Sequence, residues 1–467
     1  MLPGADDTIV ALATAPGRSA IAVVRIGGHG ALTVAGRLAS PWPIPERHPT
    51  LCEIRHPDTG ALLDRALVTT FPDARSFTGE PIVEISTHGG LLVPTTTLDA
   101  LLAAGARVAL PGEFTRRAVF NGRIDLLQAE AIGDLIDARS SATQRSALRQ
   151  LDGGLSRRIL ELRERIIGIE AMIAYDIDFP EEDDGPIPAA RVHEAGVGVL
   201  GALDRLLATA HAGVLIREGA LIVLAGPPNA GKSSLFNALV GESRAIVTDV
   251  PGTTRDAIEA VVDATPWPLR LVDTAGLRPT ADVVERLGVE VSERYLGAAD
   301  LILACAESPA ELADTMHRIR VATSAPMLAV ATKQDLVSPG DEATWDLVAG
   351  SLESRSPLAS GGFVPVSALT GAGLQQLVDE IGRILSADGA PPAPETPLLT
   401  RERHHRAVAT ARSELAAFLS LRESSEVPAS VAAVHLRTAT VALEELIGSV
   451  DVEDIFDRVF ASFCIGK

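Results

Sequence analysis

The segment Gly226–Ser233 combines the residue types that bind phosphate. Its sequence, Gly-Pro-Pro-Asn-Ala-Gly-Lys-Ser, follows the spacing GxxxxGK(S/T) and lies between the apolar run Leu221–Ala225 and a helical run that starts at Ser234. In such a loop the backbone N–H groups surround phosphate oxygens at a helix N-terminus, where the helix dipole favours anions. The spacing predicts that Lys232 contacts the β- and γ-phosphates of a nucleotide and that Ser233 Oγ coordinates Mg²⁺.

The segment Asp-Thr-Ala-Gly of residues 273–276 follows an apolar run that starts at Leu269, and it would complete a triphosphate site. The Asp273 carboxylate would hold Mg²⁺ through water, and the Gly276 N–H would contact the γ-phosphate. Leu277 follows, at the position where small signalling GTPases have the glutamine that orients the attacking water. Because leucine neither donates nor accepts a hydrogen bond, another group must orient the water. Glu285 is the best local candidate, and a solvated helix carboxylate is the alternative interpretation.

Two later segments predict which base is bound. In residues 332–335, Thr-Lys-Gln-Asp, Asp335 can accept hydrogen bonds from N1–H and the exocyclic amine of guanine, while the Lys333 stem covers the ring. Adenine lacks both matching donors and would leave the carboxylate unpaired. Ser367–Leu369 is positioned to bind the guanine carbonyl through its backbone, so the pattern indicates GTP rather than ATP. Thr332 stands where Asn is usual. Because threonine lacks the two N–H donors of the asparagine amide, we expect a modest nucleotide affinity.

Residues 248–256, Thr-Asp-Val-Pro-Gly-Thr-Thr-Arg-Asp, offer carbonyl and hydroxyl oxygens to hard cations. Thr254 is the expected Mg²⁺ ligand of the first switch. Asn229, in the phosphate loop, could join these oxygens in binding a monovalent cation that adds positive charge to the transition state. Arg255 is either an arginine finger or the partner of Asp256 or Glu259 in an ordinary salt bridge.

Several segments therefore contribute to one predicted nucleotide site. Its predicted catalytic members are Glu285, Lys232, Thr254 and Gly276. Its predicted GTP-binding members are Asn229, Ala230, Gly231, Lys232, Ser233, Ser234, Thr248, Asp249, Val250, Pro251, Gly252, Thr253, Thr254, Asp273, Thr274, Ala275, Gly276, Thr332, Lys333, Asp335, Ser367, Ala368 and Leu369.

The elements that must position these residues form a multidomain α/β chain. Mixed strand and helix patterns over residues 1–122 predict an α+β domain, and helical spacing follows over 123–216. Short apolar strands alternate with helices over 217–386, which predicts an inserted, doubly wound, mostly parallel sheet. A Pro-rich segment then opens a second helical part, 387–467.

Composition limits the possible partners and compartments. The 467 residues are 46% hydrophobic, and 61 acidic against 41 basic residues give a net charge of −20, which excludes coating of nucleic acid or anionic membrane by the whole surface. No apolar run approaches the ~18 residues of a membrane span, and no export signal or disulfide pattern is evident, so a cytoplasmic protein is expected. Only three basic residues are lysines, Lys232, Lys333 and Lys467. They are candidates for sites where only a slim, flexible cationic side chain fits, and chance survival among the arginines is the alternative interpretation.

From end to end the chain resembles the bacterial family of tRNA-modification GTPases called MnmE or TrmE. Beside the nucleotide segments, the resemblance rests on residues 7–11, 16–18, 76–80, 87–90, 111–115 and 125–132 and on the C-terminal Phe-Cys-Ile-Gly-Lys of 463–467. The terminal Cys-x-Gly-Lys is highly specific when it accompanies a guanine-binding domain.

The resemblance implies a homodimer built on the N-terminal domain, which would bind 5-formyl- or 5,10-methylene-tetrahydrofolate. The matching folate positions are Arg25, Glu84, Arg123 and Lys467, and Arg123 replaces a Lys of related sequences. Cys464 would be a nucleophile near the folate carbon, with a small buried thiol as the commoner alternative.

The resemblance also implies an FAD- and NADH-using partner, the MnmG or GidA protein, in a heterotetramer or larger assembly. With it the family adds an aminomethyl or carboxymethylaminomethyl group to C5 of the wobble uridine of certain tRNAs. Potassium-dependent pairing of two G domains activates hydrolysis. Asn229, Thr248, Val250 and Thr253 match the K⁺ shell, and Glu285 matches a general base that acts through a bridging water.

Two other functions stay open on the sequence alone. A ribosome-assembly or regulatory switch GTPase would use hydrolysis as a timer, although an RNA-binding appendage is disfavoured by the 3% aromatic content and the acidic balance. A folate-dependent one-carbon transferase with a regulatory G domain would turn over without GTP.

Overall fold

The computed structural model describes residues 4, 6–178, 187–242, 258–273, 294–336, 345, 363–386, 392–393, 395–424, 428–448, 459–460, 463 and 466. The chain divides into two compact units. The first comprises Met1–Gly133, Leu151–Val199 and Thr410–Lys467, and the second comprises Asp134–Gln150 and Leu200–Ala409.

A seven-stranded mixed sheet organises the first unit, in the order β3-β4-β5-β6-β2-β1-β7. Its strands are β1 (Ile9–Leu12), β2 (Ile21–Gly27), β3 (Ala39–Ser40), β4 (Thr50–Arg55), β5 (Leu62–Phe71), β6 (Ile82–His88) and β7 (Arg107–Val108). Strand β2 alternates, so that Ala22, Val24 and Ile26 enter the core while Arg25 points to the opposite face. Because Arg25 pairs in register with Glu84 of β6, the two predicted folate residues share that face.

A six-stranded sheet organises the second unit, in the order β13-β12-β11-β8-β10-β9. Its strands are β8 (Ala220–Ala225), β9 (Ile258–Val262), β10 (Leu269–Asp273), β11 (Leu301–Ala306), β12 (Met327–Ala331) and β13 (Phe363–Pro365). All pairs are parallel except β9 with β10. Strands β8, β11 and β12 are buried along their whole length, as expected for a parallel sheet covered on both faces. The predicted fold class, an inserted doubly wound sheet beside an α+β domain and helices, is confirmed.

Thirteen helices are present among the described residues. They are α1 (Ala31–Gly36), α2 (Leu92–Ala103), α3 (Glu113–Phe120), α4 (Leu126–Asp137), α5 (Ser141–Leu151), α6 (Gly154–Asp178), α7 (Ala189–Leu207), α8 (Ala210–Glu218), α9 (Lys232–Glu242), α10 (Pro309–Ala322), α11 (Leu374–Leu385), α12 (Glu402–Ser424) and α13 (Ala429–Ile447). In the first unit α6 and α13 pack together. A reciprocal capping box begins α4, since the Gln128 N–H donates to Asp125 Oδ1 at 2.8 Å and the Asp125 N–H donates to Gln128 Oε1 at 3.0 Å.

One helical stretch in the described part of the chain, Ala189–Glu218, passes a length and hydropathy test for crossing a membrane, with a mean hydropathy of 1.5 in its best window. The sequence had indicated no such stretch. A single stretch of this kind is weak evidence, because buried helices pass the same test.

Candidate functional site

The loop between β8 and α9 has the backbone shape of a phosphate cradle. Asn229 (φ 65°) and Gly231 (φ 74°) both adopt the left-handed conformation, which lets the loop curl before α9 begins at Lys232. A Cβ atom on Gly226 would lie 2.2 Å from the Cys305 carbonyl oxygen, so glycine is required where the loop passes over β11. The N-terminal N–H groups of α9 therefore face the loop, as anion binding requires.

Three polar side chains meet at the base of this loop. The buried Lys232 ammonium donates to the carbonyl oxygens of Gly226 at 2.9 Å and Pro227 at 2.7 Å. Ser233 Oγ donates to Asp273 Oδ2 at 2.5 Å, and Asp273 is only 1% exposed. A hydroxyl beside a buried carboxylate is the oxygen donor set that Mg²⁺ prefers, so these residues fit the ion expected of them.

A cavity of about 520 Å³ opens above the loop. It is lined by Pro228, Asn229, Gly231, Lys232, Ser233, Ser234 and Lys333. A second cavity, of about 120 Å³, is lined by Gly231, Ser234, Leu235, Thr332, Lys333, Asp335, Leu336, Val366, Ala368 and Leu369. The structure thus brings the predicted base-binding segments to one cavity that shares three lining residues with the phosphate cavity.

The carboxylate expected to recognise the base is held by a neighbouring hydroxyl. Ser367 Oγ donates to Asp335 Oδ1 at 2.6 Å and accepts from the Thr370 N–H at 3.2 Å. Ser367 is buried, whereas Asp335 is exposed toward the cavity mouth. The Ser367 side chain therefore positions the Asp335 carboxylate, a contact that the sequence did not predict.

Thr332, the departure from the usual Asn, is buried at the junction of the two cavities. Its N–H donates to the Ala306 carbonyl at 2.9 Å. Its Oγ1 lies 2.9 Å from the Ala230 carbonyl oxygen and 3.1 Å from that of Ala306. The hydroxyl therefore connects the base-binding loop to the phosphate loop, although it has one proton for two carbonyl oxygens.

The buried thiol of Cys305 lies under the same loop. Burial raises its pKa to about 12, so the thiol stays protonated and unreactive at neutral pH. We assign it to the core of the sheet rather than to chemistry.

Many predicted site residues lie outside the described part of the chain. They are Thr248, Asp249, Val250, Pro251, Gly252, Thr253, Thr254, Arg255, Thr274, Ala275, Gly276, Leu277, Glu285, Cys464 and Lys467.

The N-terminal sheet carries a second polar cluster around Arg25. Its Nε and Nη2 donate to Glu84 Oε1 at 3.0 and 2.8 Å, and its Nη1 donates to the Gly466 carbonyl at 3.3 Å. The guanidinium carbon lies 5.9 Å from the ring centre of Phe77 and 5.7 Å from that of Phe114. The chain end next to Lys467 therefore contacts the strand that carries Arg25.

Two contacts of the segment 76–80 were not predicted. Phe77 belongs to a segment that the sequence had marked, but only the fold shows its ring beside Arg25. Arg123 is exposed, and its side chain passes beside Gly79 in the same segment, where a Cβ would lie 3.2 Å from Arg123 Cγ.

A buried ionic network supports this part of the unit. Arg117 Nη2 donates to Glu113 Oε1 at 3.0 Å, and Arg107 donates to both oxygens of Glu113 at 2.7 and 2.8 Å. Burial alone would raise the pKa of Glu113, but hydrogen bonds from Arg107, the Leu110 N–H and Arg117 lower it overall. Glu113 is therefore held as a carboxylate at the first residue of α3.

A phosphate loop between a parallel strand and a helix, with a buried Ser–Asp pair beside it and a carboxylate in the adjoining cavity, defines the class of P-loop GTPases. Residues 8–123 match the family model described as the GTP-binding protein TrmE N-terminus, and residues 126–464 match the one described as the MnmE helical domain. The chain belongs to the MnmE family.

Relatives match over the whole chain. The tRNA modification GTPase MnmE of Moorella thermoacetica is 40% identical over 99% of this chain and 100% of its own length. That of Methylorubrum populi is 42% identical over 100% of this chain and 99% of its own length. Among solved structures, the G domain of the T. maritima FeoB iron transporter is 26% identical over 35% of this chain and 98% of that chain, with a TM-score of 0.26, too low to support an argument.

Proposed function

We propose that this protein hydrolyses GTP to drive modification of the wobble uridine of certain tRNAs in the cytoplasm. With an FAD-dependent MnmG- or GidA-type partner, it would add an aminomethyl or carboxymethylaminomethyl group at C5. The observation that carries the proposal is the end-to-end match to relatives named as tRNA modification GTPases, in a chain that retains a nucleotide cavity.

Each end of the nucleotide would meet a different part of the site. Asp335 would accept from guanine N1–H and the exocyclic amine, with its orientation fixed by Ser367. Lys232 would exchange its present carbonyl partners for the β- and γ-phosphate oxygens. Ser233 and Thr254 would hold Mg²⁺, which supplies positive charge to those oxygens when bound.

Hydrolysis would depend on groups other than a glutamine. We propose that Glu285 acts as the general base through a bridging water, since Leu277 cannot orient one. Asn229, Thr248, Val250 and Thr253 would bind K⁺ during pairing of two G domains. The position of Asn229 in the lining of the phosphate cavity supports its part in this set.

We further propose that the first unit binds tetrahydrofolate, through Arg25, Glu84, Arg123 and Lys467, and forms a homodimer. The contact between Arg25 and Gly466 supports the folate assignment, because it brings the residue before Lys467 to the cluster. Cys464 lies in the same C-terminal segment, and we assign it no step.

Two exposed, paired leucines on the N-terminal sheet support the homodimer. Leu51, Leu67, Ser86 and Val23 are paired in register across four strands, on the face opposite the core. Leu51 is 63% exposed and Leu67 is 47% exposed, which is unusual for a sheet surface that only water covers.

Mass analysis of wobble nucleosides in a deletion strain tests the proposal. We expect the modified uridine to disappear and to return with the wild-type gene but not with Lys232→Ala. Unchanged wobble nucleosides in the deletion strain would contradict the proposal and favour a regulatory switch. Full restoration by Lys232→Ala would favour a folate-dependent transferase that does not need GTP hydrolysis.

A further inference from the structure

We propose that Glu307 is a positioning residue for guanine binding, which holds the Lys333 side chain as the wall between the phosphate and base cavities. This inference rests on the nucleotide site proposed above. It assigns a role to a carboxylate that neither the sequence pattern nor the family match singles out.

The sheet register places Glu307 beside the base-binding loop. Strands β11 and β12 are parallel neighbours, with Ala306 opposite Ala331. Glu307 follows β11 directly and Thr332 follows β12, so the two segments leave the sheet side by side. The Thr332 N–H donates to the Ala306 carbonyl at 2.9 Å, which fixes the spacing of the two segments.

Across this junction the Lys333 ammonium forms an ion pair with Glu307 Oε1. Each side chain is 37% exposed, so the pair is half-buried at the cavity edge. The Glu307 backbone is itself held at the start of α10, where its N–H donates to Glu311 Oε2 at 3.2 Å and Ser308 Oγ caps the helix. The Glu307 carboxylate, carried by a backbone that is held in place, thus anchors the end of a long, otherwise rotamer-rich side chain.

The Lys333 stem borders both cavities, together with Gly231 and Ser234. Its Cε lies 3.8 Å from the position of a Cβ on Gly231 in the phosphate loop. Lys333 also has a left-handed backbone conformation (φ 54°), which residues other than glycine rarely adopt. This conformation directs the stem across the junction. Anchoring the ammonium before binding spares the nucleotide the entropic cost of ordering this stem.

A double-mutant cycle on GDP binding tests the inference. The variants are Glu307→Ala, Lys333→Met, which keeps an unbranched stem without the charge, and the pair together, each titrated with a fluorescent GDP in Mg²⁺. We expect Glu307→Ala to weaken GDP binding about two- to fivefold in the wild-type background and to have no further effect beside Lys333→Met. The same factor should apply to a non-hydrolysable GTP analogue, because the stem contacts the base.

Asp314→Ala is the matched control, since it removes an exposed carboxylate of α10 that pairs with Arg318 rather than with Lys333. If Glu307→Ala does not fold, Glu307→Gln serves in the same cycle, because it removes the charge at nearly constant shape. Equal losses in both backgrounds, or no loss in the wild-type background, would overturn the inference. The assay contains neither tRNA, folate nor K⁺, so such a result would not contradict the proposed tRNA modification. Conversely, unchanged wobble nucleosides in the deletion strain would not contradict the role of Glu307.

Discussion

At the scale of single residues, Thr332 decides how the base-binding loop is attached to the phosphate loop. Its one hydroxyl proton can serve only one of the two carbonyl oxygens within reach, and Ala306 already accepts from the Thr332 N–H. We therefore expect the proton to bond the Ala230 carbonyl. Thr332→Val should weaken GDP and GTP binding about fivefold, the worth of one buried hydrogen bond, and leave the hydrolysis rate at saturating GTP unchanged.

Equilibrium titration and single-turnover hydrolysis measure the two quantities separately. Thr332→Ser keeps the hydroxyl and should restore most of the affinity. If Thr332→Val binds GDP as tightly as the wild type, the hydroxyl does not join the loops.

At the scale of elements, the strands that were predicted and those that were missed differ in burial. The apolar run Leu221–Ala225 matches strand β8 to within one residue, because that strand is buried along its whole length. Strand β4 alternates buried Cys52 and Ile54 with charged residues and lies toward an edge, so its pattern is weaker. The contacts of Phe77 and Gly466 with Arg25 could not be predicted from local patterns. Gly466 lies 441 residues from Arg25 in the sequence, and strands β3, β4 and β5 separate Phe77 from it.

The start of α3 gives the first unit a pH-dependent stability. The pKa of Glu113 is below its ordinary value in the folded protein, because hydrogen bonds from Arg107, the Leu110 N–H and Arg117 outweigh the effect of burial. The ionised Glu113 carboxylate therefore stabilises the fold fully at pH values above about 4.5, the pKa of this group in the unfolded chain. This stabilisation is lost as the pH falls through the lower pKa that Glu113 has in the folded protein. Glu113→Gln should therefore lower the free energy of unfolding by about 2–4 kcal/mol at pH 7 and by much less at pH 3.

Denaturant unfolding followed by circular dichroism at both pH values measures this difference. Arg318→Gln, at an exposed ion pair with Asp314, is a suitable control and should change little at either pH. A loss for Glu113→Gln that is the same at pH 7 and pH 3 would show that the charge of Glu113 is not its source.

The C-terminal segment is a second element whose placement can be tested. Gly466 (φ 105°) lies against β1, and a Cβ atom there would be 2.4 Å from the Leu12 carbonyl oxygen. Gly466→Ala should displace the chain end from Arg25 and reduce binding of 5-formyltetrahydrofolate at least about tenfold, as isothermal titration would show. Gly168→Ala, in α6 with open space around it, is the control and should bind normally. Unchanged folate binding by Gly466→Ala would show that the chain end does not take part in the folate site.

At the scale of the whole molecule, the proposed mechanism requires two G domains to meet around K⁺ before hydrolysis accelerates. We expect exchange of K⁺ for Na⁺ to slow GTP turnover and to weaken G-domain pairing, because the oxygens of residues 248–253 and Asn229 would fit the larger ion. Glu285→Ala should bind GDP normally, pair in K⁺ and still fail to hydrolyse GTP. Turnover and light scattering in the two salts measure both effects, and equal rates in K⁺ and Na⁺ would contradict the ion site.

We propose that the cavity beside the phosphate loop selects guanine through Asp335. Competitive titration with GDP, ADP and XDP tests it most directly, in the wild type and in Asp335→Asn, whose amide would suit the C2 carbonyl of xanthine. We expect the wild type to bind GDP at least about a hundredfold more tightly than ADP, and Asp335→Asn to prefer XDP. Equal binding of GDP and ADP by the wild type would contradict it.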